Sequence, residues 1–241
     1  MKYKSLILFI LTVSVVLYKI PLLESGTKKF TYPNLRSIGF ISKNHVPEAG
    51  FIIKSYDNRV LISEGDKVLI SLSKKDVKVG DIFSIYRESE AVKHPLTGKF
   101  IGYKIDILGE VEIINLKKEE VGGKIKRSFS YISPGDKIQS FKFPSDEIIL
   151  KKCESPLEGV IIAVAPSIDQ FAEYNIVYID KGESQGVKRG NIFTVYKKKG
   201  KEIEKKKGKL LILSTQKDTS TALIIESREP MKVGELIRGD I

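Results

Sequence analysis

Residues 77–86 read VKVGDIFSIY, and 110 positions later residues 187–196 read VKRGNIFTVY. Six of the ten positions are identical, and three more are close substitutions: Asp81 with Asn191, Ser84 with Thr194, Ile85 with Val195. In a chain of 241 residues this marks a duplicated unit. Upstream, Pro47, Gly50, Ile52 and Ile53 match Pro156, Gly159, Ile161 and Ile162 at an offset of 109. Downstream, Gly109, Ile113, Ile125, Ser128, Gly135 and Ile138 match Gly208, Ile212, Ile224, Ser227, Gly234 and Ile237 at an offset of 99. The first copy therefore holds eleven residues more than the second between Tyr86 and Gly109, including the segment KHPLTGKFIGYKI at 93–105. Its Pro-Leu-Thr-Gly centre is turn chemistry between two strands. The second copy has a lysine-rich loop at the same place.

Two units of roughly 100 residues each lie near the common domain size. Apolar residues alternate or form short β-branched runs bounded by Gly, Pro, Asn or Asp, which predicts strands at 50–55, 67–72, 81–87, 101–116, 123–130 and 136–141, with most repeated in the second copy. In the duplicated core Gly80 permits a positive φ, after which Phe83 and Ile85 point to one face and Ser84 and Tyr86 to the other. Outside the amino terminus no helical period is sustained, a short turn at 167–173 excepted. The expectation is an all-β chain of two tandem antiparallel curved sheets or barrels at 47–143 and 156–241, with linkers at 27–46 and 144–155.

Residues 1–26 carry a different signal. Lys2 and Lys4 precede twelve apolar or small residues, 6–17, the charge and length of a signal peptide. Cleavage near Ser25 and Gly26 and retention as an anchor through Leu23 both remain open, and either places the protein in the periplasm or on a membrane facing it. The single cysteine, Cys153, excludes an intramolecular disulfide and a cysteine-based zinc cluster, and reads as a tolerated linker residue.

The repeat landmarks are Gly50, Gly80, Asp81, Phe83, Tyr86, Gly135 and Asp136 in copy one, and Gly159, Gly190, Phe193, Tyr196 and Gly234 in copy two. Together with His94-Pro95-x-Thr97-Gly98 they resemble the carboxy-terminal domain of the flagellar assembly protein T. They are also similar to exported bacterial proteins in which two such domains follow a lysin-motif peptidoglycan-binding domain. The resemblance covers about Pro47 to Ile237 and implies an envelope-located β module used in assembly or attachment. The stretch 27–46 is too short for a lysin motif, so wall binding by that route is not implied.

The inventory argues against catalysis. There are two histidines, His45 and His94, no G-x-S-x-G serine, no H-E-x-x-H and no phosphate-cradling P-loop spacing. No catalytic, cofactor or metal residues are assigned. His94 reads first as a polar hairpin-tip residue and second as a contact or metal group. The Gly-Asp pairs 65–66, 80–81 and 135–136 read as turns rather than carboxylate ligands.

Charge supplies the remaining lead. The formal net charge is +11, and Lys197, Lys198, Lys199, Lys201, Lys205, Lys206, Lys207 and Lys209 crowd one segment. A solvated hairpin is the bland interpretation; attraction to anionic lipid, a wall polymer or an acidic protein is the functional one. Nucleic acid is disfavoured because the run lacks an aromatic for base stacking. The leading expectation is a non-catalytic envelope adaptor with protein partners in a surface or trans-envelope assembly, of flagellar or pilus type, where a homo-oligomer would suit tandem modules. The alternative is a peptidoglycan- or carbohydrate-binding module using Tyr86, Tyr103, Tyr131, Tyr174 and Tyr196.

Overall fold

The computed structural model describes residues 28–241 except 34, 74–75, 118–120, 144 and 200–201, with the side chains of 198–199 and 202–204 also left aside. Residues 1–26, expected to be a signal peptide or anchor, lie outside the described residues.

The strands are β1 (Lys29–Thr31), β2 (Phe40–Ser42), β3 (Gly50–Ser55), β4 (Lys67–Leu72), β5 (Ile82–Lys93), β6 (Phe100–Leu116), β7 (Val121–Ser128) and β8 (Lys137–Gln139). They continue with β9 (Glu147–Ile149), β10 (Glu158–Ala165), β11 (Ile176–Ile179), β12 (Ile192–Lys199), β13 (Glu202–Thr215), β14 (Ser220–Ser227) and β15 (Leu236–Gly239). The chain is all-β, with two closed six-stranded antiparallel barrels. The first runs β3-β4-β7-β6-β5-β8 around its wall and carries β2 on the outside of β6. The second runs β10-β11-β14-β13-β12-β15.

The duplication is kept down to irregularities. Gly50 faces Ile138 as Gly159 faces Ile237. β3 bulges between Ile52 and Lys54, and β10 bulges at the matching place, between Ile161 and Ala163. Gly80 N–H donates to Ile113 O just as Gly190 N–H donates to Ile212 O. Both glycines take φ near +90° (94° and 90°), a conformation that costs an L side chain. At Gly190 a Cβ would in addition collide with Ile149 O.

Each barrel closes on its own core. Ile52, Phe83, Ile85, Val111, Ile113, Ile125 and Ile138 fill the first; Ile161, Phe193, Val195, Leu210, Ile212, Ile224 and Ile237 fill the second at matching positions. Full burial of a side chain such as Phe193 makes its truncation to Ala cost on the order of 3–5 kcal/mol. Phe83 and Ile85 point inward, as alternation predicts. Tyr86 points outward yet is fully buried, because Phe40, Phe141 and Phe143 form an outer layer over it. The three Gly-Asp pairs are turns: Asp66, Asp81 and Asp136 accept from the N–H of Ser63, Lys78 and Ser133.

The stretch 167–173, expected as a short turn, bends at 169–170 and bridges through Phe171 to Met231 as Ile62 bridges Ile132. Two expectations are corrected. The presumed linkers are built into the fold. β1 pairs with β9, and Leu35, Ile38 and Ile148 bury the outer face of Leu211, Leu213 and Leu223. Cys153 is a core residue, 7% exposed, sealing the end of barrel two beside Phe193 and Ile237, where burial and then Asp240 push its thiol pKa up.

Candidate functional site

The eleven additional residues lengthen the β5–β6 hairpin beyond the wall of barrel one. Val92 pairs with Gly102 and Lys93 with Phe100, and the turn closes with His94 N–H donating to Lys99 O and Gly98 N–H to His94 O. β2 lies beside this extension, with Ser42 opposite Tyr103. The extension is laid across barrel two. Ile41 and Val92 pack on Val160, Ile162, Ala163 and Tyr178, the outward faces of β10 and β11.

Polar contacts fix the seam. His94 Nδ1 accepts from Leu96 N–H at 3.2 Å, which leaves the ring proton on Nε2, 3.5 Å from Asp180 Oδ2. Asp180 Oδ1 accepts from Val160 N–H at 2.7 Å, so one carboxylate joins the hairpin tip to the first strand of barrel two. Lys104 Nζ, almost wholly buried, donates to Glu90 Oε1 at 2.7 Å and Ser167 Oγ at 2.8 Å; Ser167 donates to the same Glu90 oxygen. These hydrogen bonds, from Lys104 first and Ser167 second, hold the Glu90 carboxyl below its ordinary pKa against the opposing effect of burial. Thr221 Oγ1 donates to Gly39 O at 3.0 Å, tying β14 to the approach to β2.

A cleft of about 480 Å³ opens where the seam parts, between Tyr32, Arg87, Lys104, Asp106, Tyr131 and Tyr178. Arg87 clasps Asp136 through two 2.8 Å hydrogen bonds and lies 4.6 Å over the Tyr131 ring. Lys104 is paired with Glu90, whereas Asp106 makes no ion pair among the described residues. The Tyr178 hydroxyl is buried without a hydrogen-bond partner. Burial, then Asp106 and Glu90, push its pKa upward. The cleft thus offers one unpaired carboxylate, aromatic walls and two neutralised cations. It holds no arrangement of nucleophile and base, and among the described residues no cluster of His, Cys, Asp and Glu could hold a metal ion. No described helix is long and apolar enough to cross a membrane.

The tyrosines named from the sequence do not share one groove. Tyr86 is interior, donating to Val46 O, its pKa pushed up to about 12 by burial, Glu88 and Glu48. Tyr103 stacks on His45 at 4.1 Å along the hairpin. Tyr131 lines the cleft, Tyr174 is 80% exposed on a barrel-two turn, and Tyr196 lies under Arg238. Tyr32 and Tyr178, which line the cleft with Tyr131, carry no local motif that would single them out.

The lysine segment is less uniform than its sequence. It is the β12–β13 hairpin, with Lys197 opposite Lys205 and Tyr196 opposite Lys206. Lys197 and Lys206 are exposed, Lys205 pairs with Glu229 at 2.6 Å, and Lys209 lies 3.9 Å from Asp240. Lys207 is corrected out of the exposed set: it is the extra residue where the β12–β13 register shifts between Val195 and Tyr196, and it is buried against Glu235, whose carboxyl pKa is raised by burial against the pull of that lysine. Lys201 and the side chains of Lys198 and Lys199 lie outside the described residues.

No protein-family model matches the chain. A protein of Aquifex aeolicus (strain VF5) described as an uncharacterized protein is 35% identical over 80 residues, 33% of this chain and 16% of that protein. The chain thus covers well under two thirds of that relative's length.

Proposed function

We propose that this chain is a non-catalytic adaptor of the cell envelope, two β-barrels clasped into one body that presents surfaces to protein partners in a surface or trans-envelope assembly. The observation that carries this reading is the use made of the insert. The one stretch by which copy one exceeds copy two goes into a hairpin fixing barrel two against barrel one, which favours a rigid spacer over two independently moving modules. Export is supported by Lys2, Lys4 and the apolar run that follows, and attachment to an assembly by the resemblance to the flagellar assembly protein T domain. Lys197 and Lys206 give the β12–β13 hairpin exposed cations for an anionic partner or lipid surface. Crosslinking in cells, followed by identification of what is joined to the chain in membrane and soluble fractions, tests this. Stoichiometric recovery with envelope machinery supports the adaptor; recovery alone, or in the cytoplasm, refutes it.

A carbohydrate-binding module is the second reading, favoured by the interbarrel cleft. Its size falls in the range of small-ligand sites, and Tyr32, Tyr131 and Asp106 combine aromatic surface with an unpaired acceptor. Retention on isolated sacculi that is lost on Tyr131→Ala or Asp106→Ala would support it, and retention unchanged by both would refute it.

A further inference from the structure

The interbarrel cleft takes groups from both repeats, so the duplication shows which of them a barrel needs for its own sake. Tyr178 stands on β11 where β4 has Leu69, so the wall position is served by an apolar side chain and does not require a hydroxyl. That hydroxyl is buried without a hydrogen-bond partner, an arrangement that costs stability. It sits beside Gly39, which lines the cleft with it: a Cβ on Gly39 would lie 2.8 Å from the oxygen. Asp106 is the second group without a use inside the protein. It faces Arg87 across β5–β6 as Lys205 faces Lys197 across β12–β13. Lys205 pairs with Glu229 at 2.6 Å, whereas Arg87 donates twice to Asp136. The half-buried Asp106 carboxylate is left with neither an ion pair nor a side-chain hydrogen bond among the described residues.

The chemistry of these two groups selects a ligand. Burial, then Asp106 and Glu90, push the pKa of Tyr178 upward, so its hydroxyl stays protonated and donates, while the carboxylate accepts. A molecule that engages both carries a donor and an acceptor close together. An anion would meet Asp106 with Lys104 and Arg87 already committed to Glu90 and Asp136, and a cation would lie among those two bases. An uncharged ligand avoids both costs. Tyr131, 61% exposed with Arg87 over its ring, adds a flat apolar surface at the same opening. We infer that the cleft binds one uncharged pyranose unit, whose hydroxyl donates to Asp106, whose neighbouring oxygen accepts from Tyr178, and whose C–H face lies on Tyr131. This rests on the carbohydrate-binding reading above and specifies it. The sugar is neutral, and it joins the two barrels, because Asp106 stands on β6 and Tyr178 on β11.

Calorimetric titration of the full-length chain with tetramers of N-acetylglucosamine, of glucose and of galacturonate tests the inference. The first offers an N-acetylated amino sugar, the second a plain hexose, and the third a charged unit in a chain of equal length. The expected result is that a neutral tetramer binds and raises the melting temperature, with galacturonate at least about tenfold weaker. Tyr178→Phe should weaken the neutral tetramer about fivefold or more, and Asp106→Asn about tenfold or more. Tyr178→Phe separates a contact from a structural role, because it should lose binding while the fold gains stability. A neutral tetramer bound by either variant as tightly as by the wild-type chain, or galacturonate bound as tightly as the neutral tetramers, overturns the inference and leaves the carbohydrate-binding reading standing. Failure of all three to bind overturns both.

Discussion

His94 Nε2 lies 3.5 Å from Asp180 Oδ2, so the turn of an insert that only the first repeat possesses is held against the second barrel. Duplicated barrels joined by a chain need not touch. Here the difference between the copies is what brings them together.

Asp180 serves the hairpin tip, the Val160 N–H and Lys181 at once. Asp180→Ala should therefore cost on the order of 1–3 kcal/mol by leaving a buried N–H unpaired. Removing the eleven-residue extension should go further and split one cooperative melt into two. Calorimetry distinguishes the cases, and an unchanged single transition in the shortened hairpin would show that the clasp does not couple the barrels.

Glu90 makes the seam acid-sensitive. Its pKa is held below the ordinary 4.5 in the folded chain, so its contribution is present above that value and is lost as pH falls through the folded one. The melting temperature should drop less for Glu90→Gln than for the wild-type chain between about pH 6 and about pH 3.5. Equal drops would remove Glu90 from the account.

The Tyr178 hydroxyl is buried and unbonded, an arrangement that costs about 1–3 kcal/mol. Tyr178→Phe is expected to stabilise the protein by roughly 1 kcal/mol, read from the urea midpoint at constant slope. A loss of stability would mean that the hydroxyl has a partner in solution.

Lys207 is buried against a half-buried Glu235, and Glu235→Gln should cost on the order of 1–3 kcal/mol by leaving the buried lysine without its counter-charge. Lys207→Met with Glu235→Leu should recover most of that loss. Urea unfolding of the single and the double variant measures both effects.

On the same hairpin, Lys197→Gln with Lys206→Gln should weaken binding to vesicles rich in anionic lipid, by about 1 kcal/mol per lysine at low salt. Conversely, binding that survives high salt unchanged, or is insensitive to both lysines, would set the electrostatic reading aside.

Much of the fold is legible along the chain. The paired VKxGxIFxxY segments, the offsets of 109, 110 and 99, and the positive-φ glycines fix two all-β units, the order of their strands and the position of the extra eleven residues. Those features are local: side-chain alternation, turn chemistry and repeat register all act over a few residues. What they cannot carry is which outward face meets which. Phe51 and Val160 occupy the same place in their repeats, yet one is 37% exposed and the other 5%, because a hairpin from elsewhere in the chain lies over the second alone. The same holds for Lys207, one of eight similar lysines until strand register turns it toward Glu235, and for Cys153, a linker residue until barrel two closes around it. Each depends on contacts between residues far apart in sequence. Burial and pairing of that kind are properties of the closed barrels and their seam, and the tertiary structure alone decides them.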